Sequence, residues 1–255
     1  MSGRIAVPVF PGTNSEDETV GLLRDCGGDA ELVHWSQAER LKEFDAFVLS
    51  GGFAYEDRIR AGAIAAHDRM MDYVLEAALG GSLVLGICNG AQILLEAGLV
   101  PGVGAPRKPT AAFTKNAPEP HFVCRHVYCK LAVAPSRSAI TAALPGNAIF
   151  PAWAAHAEGR LAATPEHLDE IVAGGHLAFV YAHADGRVDD AANPNGSALG
   201  CAGLLNRAGN VLAIMPHPER DGWNFNHLDR QEGGNVLSPS GGAALFSSFV
   251  EAVAS

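Results

Sequence analysis

The sequence predicts an α/β protein with a doubly wound, mostly parallel sheet flanked by helices, in one domain over residues 1–255. Short apolar runs alternate with segments of helical spacing from residue 4 to residue 97. The run at 82–87 is apolar without alternation, as a strand buried on both faces requires. Gly-Gly and Pro-Gly steps punctuate these segments.

Residues 4–10 form the first strand, which stops at Pro11-Gly12. Ser15, followed by Glu16-Asp17-Glu18, opens a helix through about residue 26. Residues 31–35 and 46–49 are strands, the second ending in Ser50-Gly51-Gly52. Helical spacing covers 61–79 and stops at Gly80-Gly81. The strand at 82–87 leads into a helix over 89–97, closed by Gly98. Residues 101–120, rich in Pro, Ala and Lys, break the rhythm and read as a loop. Strands follow at 122–133, 148–156, 177–181 and 210–215. Residues 221–242 are polar and Gly-rich, a long surface excursion, and 243–253 form the closing helix.

A hydrophobic content of 48% over 255 residues supports a packed core and excludes a disordered chain. With a net charge of -10 the chain is a poor binder of phosphate backbones, so no nucleic-acid partner is expected. No apolar run approaches the ~20 residues of a membrane span. The start Met1-Ser2-Gly3-Arg4 continues into a strand and not into the apolar stretch of a signal peptide, so the expected location is cytoplasmic. Five scattered cysteines do not form a disulfide framework.

Cys88 lies in Gly86-Ile87-Cys88-Asn89-Gly90, at the turn from a strand into a helix. It could be a small buried residue, a metal ligand or a nucleophile. A nucleophile elbow needs glycines at these positions, because the turn is sharp and neighbouring side chains would collide. A helix N-terminus favours a thiolate, and the backbone N–H of Asn89 is placed to serve an oxyanion hole. A cysteine nucleophile needs a base, and the base an orienting group. Met215-Pro216-His217-Pro218-Glu219-Arg220 supplies both after a late strand, with His217 and Glu219 two residues apart and on one side of an extended backbone. Ser50-Gly51-Gly52 again follows a strand, and the Gly52 N–H could be the second oxyanion donor. His121, Cys124, His126 and Cys129 mimic a zinc set, but along one strand they alternate between its two faces, so no metal site is expected.

Gly-Ile-Cys-Asn-Gly-Ala-Gln-Ile-Leu at 86–94 and Met-Pro-His-Pro-Glu-Arg at 215–220 resemble the class I glutamine amidotransferases. Pro11-Gly12-Thr13-Asn14, the stretch from Ser50 to Asp57, Arg60 to Ile64 and Phe122-Val123-Cys124-Arg125 narrow this resemblance. With Ala155-His156-Ala157-Glu158-Gly159 and Asn193-Pro194-Asn195-Gly196-Ser197, they point to the glutaminase subunits of phosphoribosylformylglycinamidine synthases, enzymes of purine biosynthesis. The matches span nearly the whole chain in family order.

The resemblance implies a flavodoxin-like fold and a Cys88–His217–Glu219 triad that hydrolyses L-glutamine to glutamate and ammonia. Cys88 attacks the side-chain amide, His217 shuttles the proton and Glu219 orients His217. Gly52 and Asn89 hold the oxyanion through their backbone N–H groups, Gln92 and the His156 segment help seat the substrate, and Gly51 belongs to the same oxyanion and substrate-binding set. In such complexes the ammonia passes to a synthetase subunit, which uses ATP and Mg to aminate formylglycinamide ribonucleotide, and a further small subunit can take part. This chain has no G-x-x-x-x-G-K-[ST] motif, so no cofactor is expected in it and the ammonia-using half is expected on another chain. It departs from the family at Ala157 and Glu56, where Gly is usual, and is longer over 223–234. Two other readings are a glutaminase serving a different synthetase and a catalytically silent regulatory protein on the same scaffold. The last would lack His217 or Glu219, and both are present.

Overall fold

The computed structural model describes residues 3–105, 107–227 and 235–255. In chain order the elements are β1 (Arg4–Val9), α1 (Glu16–Asp25), β2 (Asp29–His34), β3 (Ala46–Leu49), α2 (Arg69–Leu79), β4 (Leu83–Ile87) and α3 (Asn89–Glu96). Then come β5 (Ala111–Thr114), β6 (Val123–Leu131), β7 (Ile149–His156), β8 (Arg160–Ala163), α4 (Pro165–Ala173), β9 (Leu177–Ala182), β10 (Cys201–Leu205), β11 (Val211–Ile214) and α5 (Ala243–Ala254). A nine-stranded sheet has the order β2-β1-β3-β4-β11-β10-β9-β6-β7, and β5 pairs with β8 in a small separate sheet.

The main sheet changes character at β11. From β2 to β11 every junction is parallel, and from β11 to β7 every junction is antiparallel. The expected doubly wound part is thus one half of a mixed sheet. Its central strands are apolar on both faces, and all residues of β3, β10 and β11 are buried. Helices flank it: α1 lies on β1 and β2 and against α5, while α3 packs on β3, β4 and β11.

Several expectations need correction. The helix expected over 61–79 begins only at Arg69, because the Asp68 side chain accepts the Met70 N–H at 2.7 Å and caps it there. Before it the chain turns tightly against α3, where a Cβ on Gly62 would sit 2.7 Å from the Ile93 nitrogen. The loop expected over 101–120 contains β5, a short strand whose pairing with β8 is fixed far along the chain. β8, α4 and β10 had no sequence reading, although Thr164-Pro165 at the start of α4 is a usual cap and first position. Ser15 precedes α1 as expected, but its hydroxyl makes no cap bond and instead accepts from the Arg220 guanidinium at 3.0 Å.

The start of the excursion over 221–242 is tied down and not merely solvated. Trp223 is buried and its Nε1 donates to Asp25 Oδ2 at 2.7 Å. Asp221 is buried between His126, at 2.8 Å, and His227, at 2.5 Å. Of the longer stretch over 223–234, residues 228–234 lie outside the described residues. All five cysteines are free. Among the described residues no helix is long and apolar enough to cross a membrane.

Candidate active site

Cys88 follows β4 with φ 50° and ψ −104°, a backbone that side-chain-bearing residues rarely adopt. Its glycines are steric necessities. A Cβ on Gly90 would stand 2.1 Å from the Leu49 carbonyl oxygen, and one on Gly86 would stand 2.5 Å from Leu94 Cδ1 and 2.7 Å from the Gly90 carbonyl oxygen. The Cys88 N–H donates to the Ile214 carbonyl at 2.8 Å, which locks the elbow to β11.

That lock decides where His217 falls. β4 and β11 run parallel with Ile87 beside Ile214, so the residues after each strand emerge at the same end of the sheet. The His217 backbone is then pinned to Trp153 of β7 by two bonds, of 2.8 and 3.1 Å. His217 Nδ1 meets Glu219 Oε1 at 2.5 Å, and Cys88 lies close enough to the same imidazole to act on its charge. Glu219 is buried and its other oxygen, Oε2, has no partner among the described residues. Burial pushes the His217 pKa down, but the charges of Glu219 and Cys88 outweigh it and hold the group up to about 10. The imidazole is therefore biased toward its protonated form, which suits a group that gives a proton to a leaving atom.

Gly51 lies against this imidazole: a Cβ there would be 2.4 Å from His217 Cε1. Its carbonyl accepts the Asn14 and Ser15 N–H groups, both at 3.2 Å. Because the 51–52 peptide is trans, the Gly52 N–H points away from α1. Asn89 and Gln92 are largely committed to the protein itself. Asn89 Oδ1 accepts the Ala54 N–H at 2.9 Å, and its Nδ2 donates to Gln92 Oε1 at 2.9 Å and to Asp57 Oδ1 at 3.1 Å. Gln92 Nε2 donates to the Glu158 carbonyl at 2.6 Å. The side chain expected to seat substrate thus holds the 156–159 turn against α3, and the Asn89 contribution left to a ligand is its backbone N–H.

The loop held by Asn89 is strained. Tyr55, Glu56, Asp57 and Ile59 all have φ between 51° and 74°. Such positions cost side-chain-bearing residues on the order of 1–3 kcal/mol each. Glu56, one of the two departures from the family, sits in this run. Burial raises the Asp57 pKa to about 6, with the Asn89 hydrogen bond opposing it and the Glu158 charge adding to it.

His156 ends β7 and is buried. Desolvation, then the charge of His217, lowers its pKa to about 4. Asn116 and Asn195, which sequence reasoning did not single out as site residues, bracket its turn. Asn116 Nδ2 donates to the His156 carbonyl at 2.9 Å, and its Oδ1 accepts the Gly159 N–H at 3.0 Å. Asn195 Nδ2 donates to the Gly159 carbonyl at 2.8 Å. The one available signal was the Asn193-Pro194-Asn195 stretch. Among the described residues no group of three or more His, Cys, Asp or Glu side chains could hold a metal ion. Of the zinc-like set, Cys124 is exposed, Cys129 is buried and His126 bonds to Asp221.

The two histidines pull stability in opposite directions with pH. The folded His156 pKa, about 4, is below the ordinary 6.5, so between these values the unfolded chain binds the extra proton and stability falls as pH drops. His217 is raised from 6.5 to about 10, so its contribution is intact below pH 6.5 and is lost as pH climbs to 10. His156 alone accounts for ~3 kcal/mol on the acid side. Urea unfolding at pH 6.5 and 4.5 checks this: His156→Gln should flatten the acid limb relative to the parent chain. An unchanged limb would mean that His156 titrates normally when folded.

Residues 2–251 match the family of CobB/CobQ-like glutamine amidotransferase domains. A phosphoribosylformylglycinamidine synthase subunit PurQ of Pyrococcus horikoshii is 39% identical over 248 residues, 97% of each chain. The PurQ subunit of Pyrococcus furiosus is 42% identical over 217 residues, 85% of this chain and 88% of its own. Among solved structures, PurLQS from Thermotoga maritima superposes with a TM-score of 0.76 at 28% identity, covering 98% of this chain and 99% of the other.

Proposed function

The chain belongs to the CobB/CobQ-like glutamine amidotransferase family, and on that premise we propose that it is the glutaminase subunit of a phosphoribosylformylglycinamidine synthase. As one domain over 1–255, it hydrolyses L-glutamine through Cys88, His217 and Glu219. The observation that carries this reading is the buried His217–Glu219 contact of 2.5 Å, with Cys88 on a glycine-flanked elbow that emerges at the same end of the sheet.

The Cys88 sulfur attacks the side-chain amide carbon of glutamine. The carbonyl oxygen becomes an oxyanion beside the backbone N–H groups of Gly52 and Asn89, at the N-terminus of α3. Protonated His217 gives its proton to the departing nitrogen, so ammonia leaves and a thioester forms. Neutral His217 then takes a proton from water, whose oxygen attacks the thioester and releases glutamate and the thiolate. Glu219 keeps the imidazole oriented and stabilises its charged form throughout.

Ammonia is delivered to a synthetase subunit, with a small third subunit in the complex, and is used there to convert formylglycinamide ribonucleotide to formylglycinamidine ribonucleotide. ATP and Mg act on that partner, and this chain works in the cytoplasm with no cofactor of its own. Released ammonia is glutamine wasted, so the isolated chain should be slow and docking should speed it. A gain of ~100-fold corresponds to about 2.7 kcal/mol of partner affinity favouring the active geometry. Glutamate release at saturating glutamine, measured with and without the synthetase and its substrates, checks this. Equal rates would rule out coupling while leaving the Cys88 chemistry intact.

A further inference from the structure

Tyr55, Glu56 and Asp57 are three consecutive residues with left-handed φ, of 55°, 59° and 51°. Residues with side chains visit this region singly and not in runs, so a run of three holds only where bonds from outside fix it. One side chain ties both of its ends. Asn89 Oδ1 accepts the Ala54 N–H at 2.9 Å, just before the run, and Asn89 Nδ2 donates to Asp57 Oδ1 at 3.1 Å, at its close. A backbone N–H only donates, so the amide faces this one way, and the other Nδ2 hydrogen goes to Gln92 Oε1 at 2.9 Å. The Tyr55 hydroxyl, 2.5 Å from Asp68 Oδ2, holds the start of the run from the α2 side.

Gly52 lies three residues before this run, in a place that only glycine takes. Its φ is 153°, and a Cβ on it would stand 2.7 Å from Thr13 Cα. The next N–H, of Phe53, bonds to the Gly12 carbonyl at 2.8 Å. The turn at 12–13 thus fixes one side of the Gly52–Phe53 segment, and Asn89 holds the other through Ala54. Asn89 also carries the second N–H of the oxyanion pair. Its side chain therefore joins the two donors, and Asp57 is the far end of that connection.

Asp57 is half-buried. Burial raises its pKa to about 6, with the Asn89 bond opposing the rise and the charge of Glu158, on the turn after β7, adding to it. On its own loop Glu56 and Arg58 pair with each other in solvent, at 2.8 Å. Asp57 is thus ionised at neutral pH, where its bond from Asn89 is charge-assisted, and it loses that charge on modest acidification.

We infer that Asp57 is a positioning residue for the oxyanion: by holding the Asn89 amide it keeps the 55–57 turn in place and, through the Ala54 N–H, sets the Gly52 N–H against the Asn89 N–H. The inference rests on the glutaminase reading and adds to it a carboxylate that acts through Asn89 and not on the substrate.

The oxyanion develops on the way to the transition state, so the effect should fall on kcat. In the full chain assayed with the synthetase and its substrates, Asp57→Ala should lower kcat for glutamate release about 10- to 100-fold with KM nearly unchanged, a smaller loss than deleting a donor outright. Asp57→Asn keeps an acceptor for Asn89 that cannot titrate. It should retain most of kcat at neutral pH, and it should remove a fall in kcat that the parent chain shows as pH drops through about 6. Thermal unfolding of both variants accompanies the assay. An unchanged kcat in Asp57→Ala, or a raised KM at constant kcat, overturns the inference. So does an Asp57→Asn chain that is as slow as the alanine variant or keeps the acid limb. If Asp57→Ala does not fold, the pH profile of Asp57→Asn decides. The glutaminase reading fails separately, if Cys88→Ala still hydrolyses glutamine.

Discussion

Cys88→Ala should lower glutamine hydrolysis on the order of 10³-fold or more, while ammonia-driven amination by the complex continues. The substitution removes the nucleophile and little else: Cys88 is a small buried residue, and its backbone is held by the Ile214 carbonyl and by the close approach of Gly86 and Gly90. Alanine must adopt the same φ of 50° that the cysteine does, so the change adds no backbone strain, and thermal unfolding should accompany the assay to show that the fold is kept. A folded variant that keeps most of its hydrolysis would refute the nucleophile. A glutamine-like electrophile should label Cys88 and spare Cys129 and Cys201, both wholly buried. It should also spare Cys124, which is exposed on β6 and lies at no glycine-flanked elbow. A label mapped to Cys124 would count equally against the assignment.

The second large effect separates base from orienting acid. His217→Ala should approach the Cys88 loss, because neither thiol deprotonation nor protonation of the leaving nitrogen is then assisted. Glu219→Gln should cost less, since it leaves the imidazole in place and removes only its charge partner. The loss is still expected to be substantial. Glu219 is buried with one oxygen on His217 and the other unpartnered among the described residues, so the imidazole is the main group facing its charge. Steady-state glutamate release decides, together with a pH–rate profile. Without the carboxylate the imidazole should lose its proton at lower pH, so the alkaline limb of Glu219→Gln should move toward neutrality. A Glu219→Gln loss as large as that of Cys88→Ala, in folded protein, would give the acid a larger part than orientation.

What the sequence made legible was the chemistry concentrated in short stretches. Cys88 with Gly86 and Gly90, and His217 with Glu219, are local patterns whose meaning depends on turn sterics and two-residue spacing. The parallel half of the sheet was legible for a similar reason: strands buried on both faces are uniformly apolar. In the antiparallel half β6, β7 and β9 were legible and the short β10 was not; β5 and β8 also went unread, because they are short and each finds its partner far along the chain. Asp68 reads as one polar residue in a helical pattern, and only its bond to Met70 shows that it starts the helix. Asn116 and Asn195 have no distinctive spacing to the triad, because they support it from across the fold. Gln92 was read as a substrate contact because an amide near the nucleophile invites that reading. The neighbours that occupy both its ends cannot be deduced from its position in the helix.

The placement of β11 beside β4 also has a consequence in time. Cys88 leaves the ribosome long before His217, and the strand that brings them together is the last of the sheet to be synthesised. Until it arrives, β4 has β3 on one side and an open edge on the other, in the middle of what will be the sheet. The unfinished chain therefore carries a thiol without its imidazole and an apolar edge ready to pair with another chain. Translation arrested before residue 211 should yield material that aggregates and releases no ammonia, so the order of synthesis itself keeps the nucleophile silent until the protein is whole.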